Sequence, residues 1–93
     1  MEIEDVFSSK LRMKILKILT LVGELNVSQI ARRLRANYRT TNEHLKVLRE
    51  EGIVNHRIFG RVHMYKFNRS SPKALAVQNL IQVWNDQNTR KEN

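Results

Sequence analysis

The sequence predicts a mainly α domain closed by a small β-hairpin: an α+β chain in the order α-α-α-β-β-α, with room for a short extra helical turn at the N-terminus. Three observations predict it. Apolar residues recur at helical spacing in three stretches before residue 52 and in one after residue 71. Between these stretches the period changes to alternation. The three glycines and the single proline all stand where an element should stop or start. A chain of 93 residues suits one domain, 1–93, just large enough to build its own core, with self-association as a natural supplement.

Within "SSKLRMKILKILTLV", Leu11, Ile15, Ile18, Leu19 and Val22 share a helical face, with Ser8 or Ser9 as cap and Gly23 as the stop. Met13, Leu16 and Thr20 widen that stripe, and Lys10, Lys14 and Lys17 line a different face. A second helix is expected after Asn26, because "NVSQ" supplies an amide cap and a glutamine three residues later. It buries Val27, Ile30, Ala31 and Leu34 and turns Ser28, Gln29, Arg32 and Arg33 outward. "RAN" at 35–37 makes a short connection to a third helix, 38–51, which ends at Gly52 as a left-handed cap. Thr41, Leu45 and Leu48 face inward.

After Gly52, "IVNHRIFGRVHMYKFN" alternates and reads as two strands joined by Gly60-Arg61, a pair suited to a type II′ turn. Val54, His56 and Ile58 then share a face with His63, Tyr65 and Phe67, while Arg57 lies on the other with Phe59, Val62 and Met64. "SSP" at 70–72 sets Ser71 as cap and Pro72 as first residue of a last helix, 72–87. Its apolar stripe of Ala74, Val77, Leu80, Ile81 and Trp84, broadened by Ala76 and Val83, exceeds the need of a small domain. Residues 88–93 are expected to form a polar, frayed tail.

The formal net charge is +8, and its distribution is uneven. Residues 1–27 carry four basic and four acidic side chains, residues 28–68 nine and three, and the remainder four and two. A basic excess in the middle of the chain is the electrostatic footprint expected of a nucleic-acid binder. There are no cysteines, which excludes disulfides, thiolate metal sites and cysteine nucleophiles. No apolar run reaches the length of a membrane span, and the acidic start "MEIEDVFSSK" lacks a signal peptide's apolar core. A cytoplasmic, DNA-associated protein is expected.

Helix, short helix, short turn, longer helix and hairpin, in that order, make a winged helix-turn-helix. The third helix (38–51) is expected in the major groove, presenting Tyr38, Arg39, Thr40, Asn42, Glu43 and Lys46. Arginine can bond two acceptors of guanine, asparagine can bond adenine through donor and acceptor together, and a threonine methyl can touch the thymine methyl. Glu43 is the exception among these types: it lies off the interface, is held by a neighbouring arginine, or accepts from a cytosine amine. Ser28, Gln29 and Arg32 at the start of the second helix suit a phosphate. In the wing (53–68), Arg57, Arg61 and Lys66 are expected over the adjacent backbone or minor groove, with Arg61 at the turn preferred. The competing expectations are a low-specificity architectural DNA or RNA coat and a protein-interaction module that kept the fold.

"FSSKLRMKILKIL", "ELNVSQIARRL" and "TTNEHLKVLREEGIVNHRIFGRVHMYKF" resemble the first helix, second helix, and recognition helix with wing of the arsenic-repressor-type (ArsR-like) transcriptional regulators. The resemblance covers about residues 7–67, and "HLKVLREEGIV" is its most specific part. It implies a homodimer binding an imperfect inverted repeat in double-stranded DNA, with dimer contacts from residues 9–22 and 72–87. The expected interface residues are Leu16, Ala74, Val77, Leu80, Ile81 and Trp84. Three departures stand out. Asn26 and Ser28 occupy positions where metal-sensing members carry cysteines, the last helix offers no histidine and only Asp86, and Arg35 sits at a turn position where glycine is common.

No metal or cofactor is therefore expected. His56 and His63 are diagonal neighbours on the hairpin, but a metal site needs further ligands. His44 is read as an ordinary helix residue near the interface. No glycine-rich phosphate loop, nucleophile–base motif or carboxylate pair points to catalysis.

Overall fold

Five helices and three short strands make up the computed structural model, which describes residues 1–91. In chain order they are α1 (Ile3–Phe7), α2 (Lys10–Val22), β1 (Leu25–Asn26), α3 (Val27–Leu34), α4 (Tyr38–Glu50), β2 (Val54–Phe59), β3 (Val62–Phe67) and α5 (Pro72–Lys91). The expected extra turn is α1. It buries Val6, and its Asp5 carbonyl accepts from Arg12 Nη1 at 3.0 Å, tying it to α2.

Local signals act as the sequence predicts. Ser9 caps α2 by accepting from the Arg12 amide at 3.2 Å, and Asn26 and Gln29 close a reciprocal capping box at the start of α3. Ser71 caps α5 through the Ala74 amide, and Asn37, expected only as part of the connection, caps α4 through the Thr40 amide. Gly52, at φ +77°, ends α4 in a Schellman motif: its amide donates to the Arg49 carbonyl, and the Ile53 amide donates to the Leu48 carbonyl, both at 2.9 Å. Ile53 is then carried into the core.

The hairpin has the predicted register, with Val54 opposite Phe67, His56 opposite Tyr65 and Ile58 opposite His63. Gly60 takes φ +59° at the turn while Arg61 stays at negative φ, as a type II′ turn requires. One strand is new: β1 pairs with β3, Leu25 opposite Tyr65, and completes an antiparallel sheet of order β1-β3-β2. Asn68 fixes the wing to the end of α4. Its amide donates to the Ile53 carbonyl and its Nδ2 to the Gly52 carbonyl, both at 2.9 Å.

The core gathers Ile15, Leu16 and Leu19 of α2, Val27 and Ile30 of α3, Leu45 and Leu48 of α4, Tyr65 and Phe67 of β3, and Ala74, Val77 and Ile81 of α5. Helix α5 differs from expectation in length and facing. It continues through Lys91, so most of the expected tail is helical, and residues 92–93 lie outside the described part. The stripe read as one face divides into two. Ala74, Val77 and Ile81 are buried in the protomer together with Leu16, whereas Leu80 and Trp84 on the adjoining face are 45% and 65% exposed. Four of the six residues expected at a dimer seam thus lie inside the protomer. The reason is periodicity: positions 74, 77 and 81 repeat at three and four residues and meet α2, while 80, 83 and 84 lie about a quarter-turn round the helix.

Candidate nucleic-acid interface

The helix-turn-helix is built by α3, residues 35–37 and α4. Arg35 occupies the left-handed region at φ 53°, ψ 43°, with its amide donating to the Arg32 carbonyl and the Ala36 amide to the Ala31 carbonyl. This is the Schellman closure usually given to glycine, so the Cβ of Arg35 carries a conformational cost. Three residues suffice to reverse the chain and set α4 across α3.

One flank of α4 is sealed. Thr41, Leu45 and Leu48 are fully buried, and the Thr41 hydroxyl donates to the Asn37 carbonyl at 2.8 Å, so its polar atom is satisfied. The opposite flank carries Tyr38, Arg39, Thr40, Glu43 and Lys46 exposed and Asn42 half-buried. Of the three roles open to Glu43, the structure places it beside Arg39, with Nε 3.4 Å from its carboxylate oxygen across one helical turn. Both side chains are solvated, which makes the pair a weak one that a phosphate or base can displace.

Tyr38, Asn42, Lys46 and Arg49 of α4 form one wall of a cleft of about 430 Å³. The start of α3 supplies Asn26, Val27 and Ser28, and the wing supplies Arg61, Val62, His63 and Tyr65. Among the described residues no carboxylate lines it. Five of the twelve predicted DNA-binding residues, Ser28, Tyr38, Asn42, Lys46 and Arg61, thus converge from three separate elements on one concave surface. Arg39, Thr40 and Glu43 lie beyond its edge along α4, and Arg32 is exposed on α3.

Three predicted contacts take other places. Gln29 accepts the Asn26 amide through Oε1, which leaves only its amide nitrogen as a donor. Arg57 is held by Glu24, with Nε to Oε2 at 3.0 Å and Nη2 to Oε1 at 2.6 Å, and its guanidinium lies 5.0 Å from the centre of the Phe59 ring. The fork expected over the backbone is therefore occupied. The ion pair holds the Glu24 carboxyl below its ordinary range and raises Arg57. Arg57 and Lys66 belong to the sheet face opposite His63 and Tyr65, away from the cleft.

Arg49, His56, His63 and Tyr65 were not among the predicted contacts. Arg49 Nη1 lies 2.9 Å from Nε2 and 3.1 Å from Nδ1 of His56, linking α4 to β2. The His56 and His63 rings stand edge to face with centroids 5.1 Å apart, and Tyr65 follows at 5.5 Å from His56. Burial, then Arg49, then His63 hold His56 below the ordinary histidine range. The available signal was the shared face of His56, His63 and Tyr65; Arg49 carried none, because its partner belongs to another element. His44 also has a partner, accepting from Arg12 Nε at 3.0 Å, and burial and Arg12 lower its pKa. Among the described residues no three metal-ligating side chains cluster, and no helix is long and apolar enough to cross a membrane.

A buried-flank helix, a three-residue turn from its predecessor and a hairpin wing together define a winged helix-turn-helix, a domain that presents one helix to DNA. Residues 9–56 match the model of the bacterial regulatory protein family arsR. The chain belongs to that family of transcriptional regulators. It is similar to HlyU from Vibrio cholerae N16961 at 26% identity, covering 86% of this chain and 84% of that one with a TM-score of 0.74. It is also similar to the transcriptional repressor PagR of Bacillus anthracis, at 25% identity over 86% and 85% of the two chains with a TM-score of 0.70. A third similar structure is the homodimeric winged helix-turn-helix DNA-binding domain of Mb0332 from Mycobacterium bovis, at 26% identity over 89% and 74% with a TM-score of 0.70. No curated protein matches the chain.

Proposed function

We propose that the chain is a sequence-specific regulator that binds a pseudo-palindromic site in double-stranded DNA as a homodimer, with α4 in the major groove and the wing over the flanking backbone. The observation that carries this is the division of α4. Thr41, Leu45 and Leu48 are sealed, while Asn42 and Lys46 open with Ser28 and Arg61 into a cleft that no carboxylate lines. Asn42 and Arg39 supply base-edge chemistry; Ser28, Lys46 and Arg61 supply phosphate contacts.

Dimerisation rests on the overhang of α5. Beyond Ile81 none of its described side chains is buried, and Leu80, Val83 and Trp84 lie exposed beside an apolar groove of about 310 Å³ that also touches Phe7 and Met13. A second copy meeting this face across a two-fold axis covers it on both protomers. Mb0332, similar over most of this chain, is a homodimer. The protein acts on cytoplasmic DNA and catalyses nothing; neither a metal nor a cofactor enters its DNA contacts.

Selection of bound sequences from random duplex DNA tests the proposal. The expected product is an inverted repeat whose half-sites lie about 34–36 Å apart, or a multiple of this. Recovery of unrelated sequences with uniform affinity points instead to a coat protein, and no recovery at low salt removes the DNA-binding function.

A further inference from the structure

The proposed DNA contact leaves the two wing histidines without a role. His63 lines the cleft, and His56 packs against three of its lining residues, Arg49, His63 and Tyr65. His56 Nδ1 lies 3.4 Å from His63 Nδ1, and Arg49 Nη1 lies against both nitrogens of His56. A guanidinium can only donate, so at most one of these two nitrogens accepts from it, and such a bond favours the neutral ring in the free protein. A proton on His56 would face Arg49 from α4 and His63 from β3, with Lys46 and Arg61 on the same cleft. The other titratable groups there are the phenols of Tyr38 and Tyr65, and the start of α3 contributes only Asn26, Val27 and Ser28. Among the described residues nothing in this surround offers a negative charge to an imidazolium.

A phosphodiester would. It is the anion the cleft is suited to receive, and its charge opposes the burial and the neighbouring Arg49 that disfavour a proton on His56. We propose that Arg49, His56 and His63 form a phosphate subsite between α4 and the wing that takes up protons as a nucleic-acid backbone enters. The subsite rests on the DNA-binding function proposed above. In the free protein Arg49 is tethered to His56. When His56 gains a proton the tether turns repulsive, Arg49 swings toward the phosphate, and His63 and His56 add charge-assisted donors. Binding and protonation are linked, so each strengthens the other.

The test is duplex affinity at constant ionic strength at about pH 8 and about pH 6, using a mixed-sequence duplex long enough for two half-sites. Affinity is expected to rise by about tenfold toward the lower pH, which corresponds to an average uptake of about half a proton on binding across that range. His56→Gln combined with His63→Gln flattens the dependence, and His44→Gln, which alters the third histidine, leaves it in place. Both rings are solvent-accessible, and circular dichroism checks that the variants fold. In the unaltered protein, NMR titration should show the His56 imidazole protonating at higher pH in the complex than alone. Duplex binding that ignores pH, or a pH response that survives the double substitution, overturns the subsite and leaves the DNA-binding function standing. Absence of duplex binding at both pH values overturns both.

Discussion

Arg57 and Glu24, 33 residues apart in sequence, form a two-point ion pair that ties the outer face of the wing to the loop entering β1. The pair sits on the sheet face away from α4, while Arg61 at the wing turn borders the cleft. These two arginines therefore have different work. Arg61→Ala should lower the slope of log affinity against log salt by about one, the loss of one phosphate contact, and Arg57→Ala should leave that slope unchanged. Arg57→Ala and Glu24→Ala should instead speed amide exchange in β2 and β3 equally, with no further effect when combined. A salt slope that falls equally for both arginine variants would place Arg57 on the DNA.

Asn42 is half-buried in the cleft wall, one turn from Tyr38 and one from Lys46. Its amide offers a donor and an acceptor side by side. Asn42→Ala should relax discrimination at one base pair of each half-site by ~1–3 kcal/mol, and Lys46→Ala should weaken all sequences alike. Competition binding with single-base variants of the selected site separates the two outcomes. Equal losses on every sequence for Asn42→Ala would make it a backbone contact.

Arg35 holds a left-handed backbone conformation at the turn between α3 and α4, and both of its closing hydrogen bonds are made by backbone atoms. Its exposed side chain makes none of the observed hydrogen bonds. Arg35→Gly should accordingly raise stability by about 1 kcal/mol, the removal of the Cβ penalty partly offset by the flexibility glycine adds to the unfolded chain. The urea midpoint should move up with an unchanged slope. A lower midpoint would mean that the side chain stabilises the turn.

Much of this was legible in the sequence because the signals were local. Caps at Ser9, Asn26 and Ser71, the left-handed stop at Gly52, the turn at Gly60 and the alternation of the hairpin each depend on a few neighbouring residues. What was not legible depends on distant partners. β1 is two residues long and shows no period, so only the edge of β3 reveals it. The occupation of Arg57 by Glu24, and of His56 by Arg49, is set by how the wing folds back on the helices. On α5 the apolar residues were evident but not their facing, since one broad stripe can supply both an inner and an outer surface.

Acid should weaken the free protein even where it strengthens DNA binding. His44 accepts a hydrogen bond from Arg12 that joins α4 to α2, and burial and Arg12 lower its pKa from 6.5. His56 is lowered by burial, Arg49 and His63. A histidine with a lower pKa when folded binds fewer protons than the unfolded chain below about pH 6.5, so stability is complete above that pH and declines as pH falls through the folded value. The urea midpoint should be lower at about pH 5.5 than at about pH 7.5, and His44→Gln should reduce the difference. A midpoint that rises on acidification would mean that His44 gains a proton on folding.

The two faces of α5 give substitutions with opposite consequences. Ile81 is 4% exposed in the protomer core, and Ile81→Ala should cost about 2–5 kcal/mol of stability whatever the oligomeric state. Trp84, one turn minus a residue further on and 65% exposed, contributes little to the protomer core. Trp84→Asp should leave a folded protomer while placing a charge in the proposed apolar seam between copies, a penalty large enough to separate them. Sedimentation should then report a monomer with a far-ultraviolet spectrum like that of the unaltered protein. Affinity for an inverted repeat should fall steeply while affinity for a single half-site changes little, because two α4 helices no longer reach successive grooves together. A variant that remains dimeric would move the seam away from Trp84.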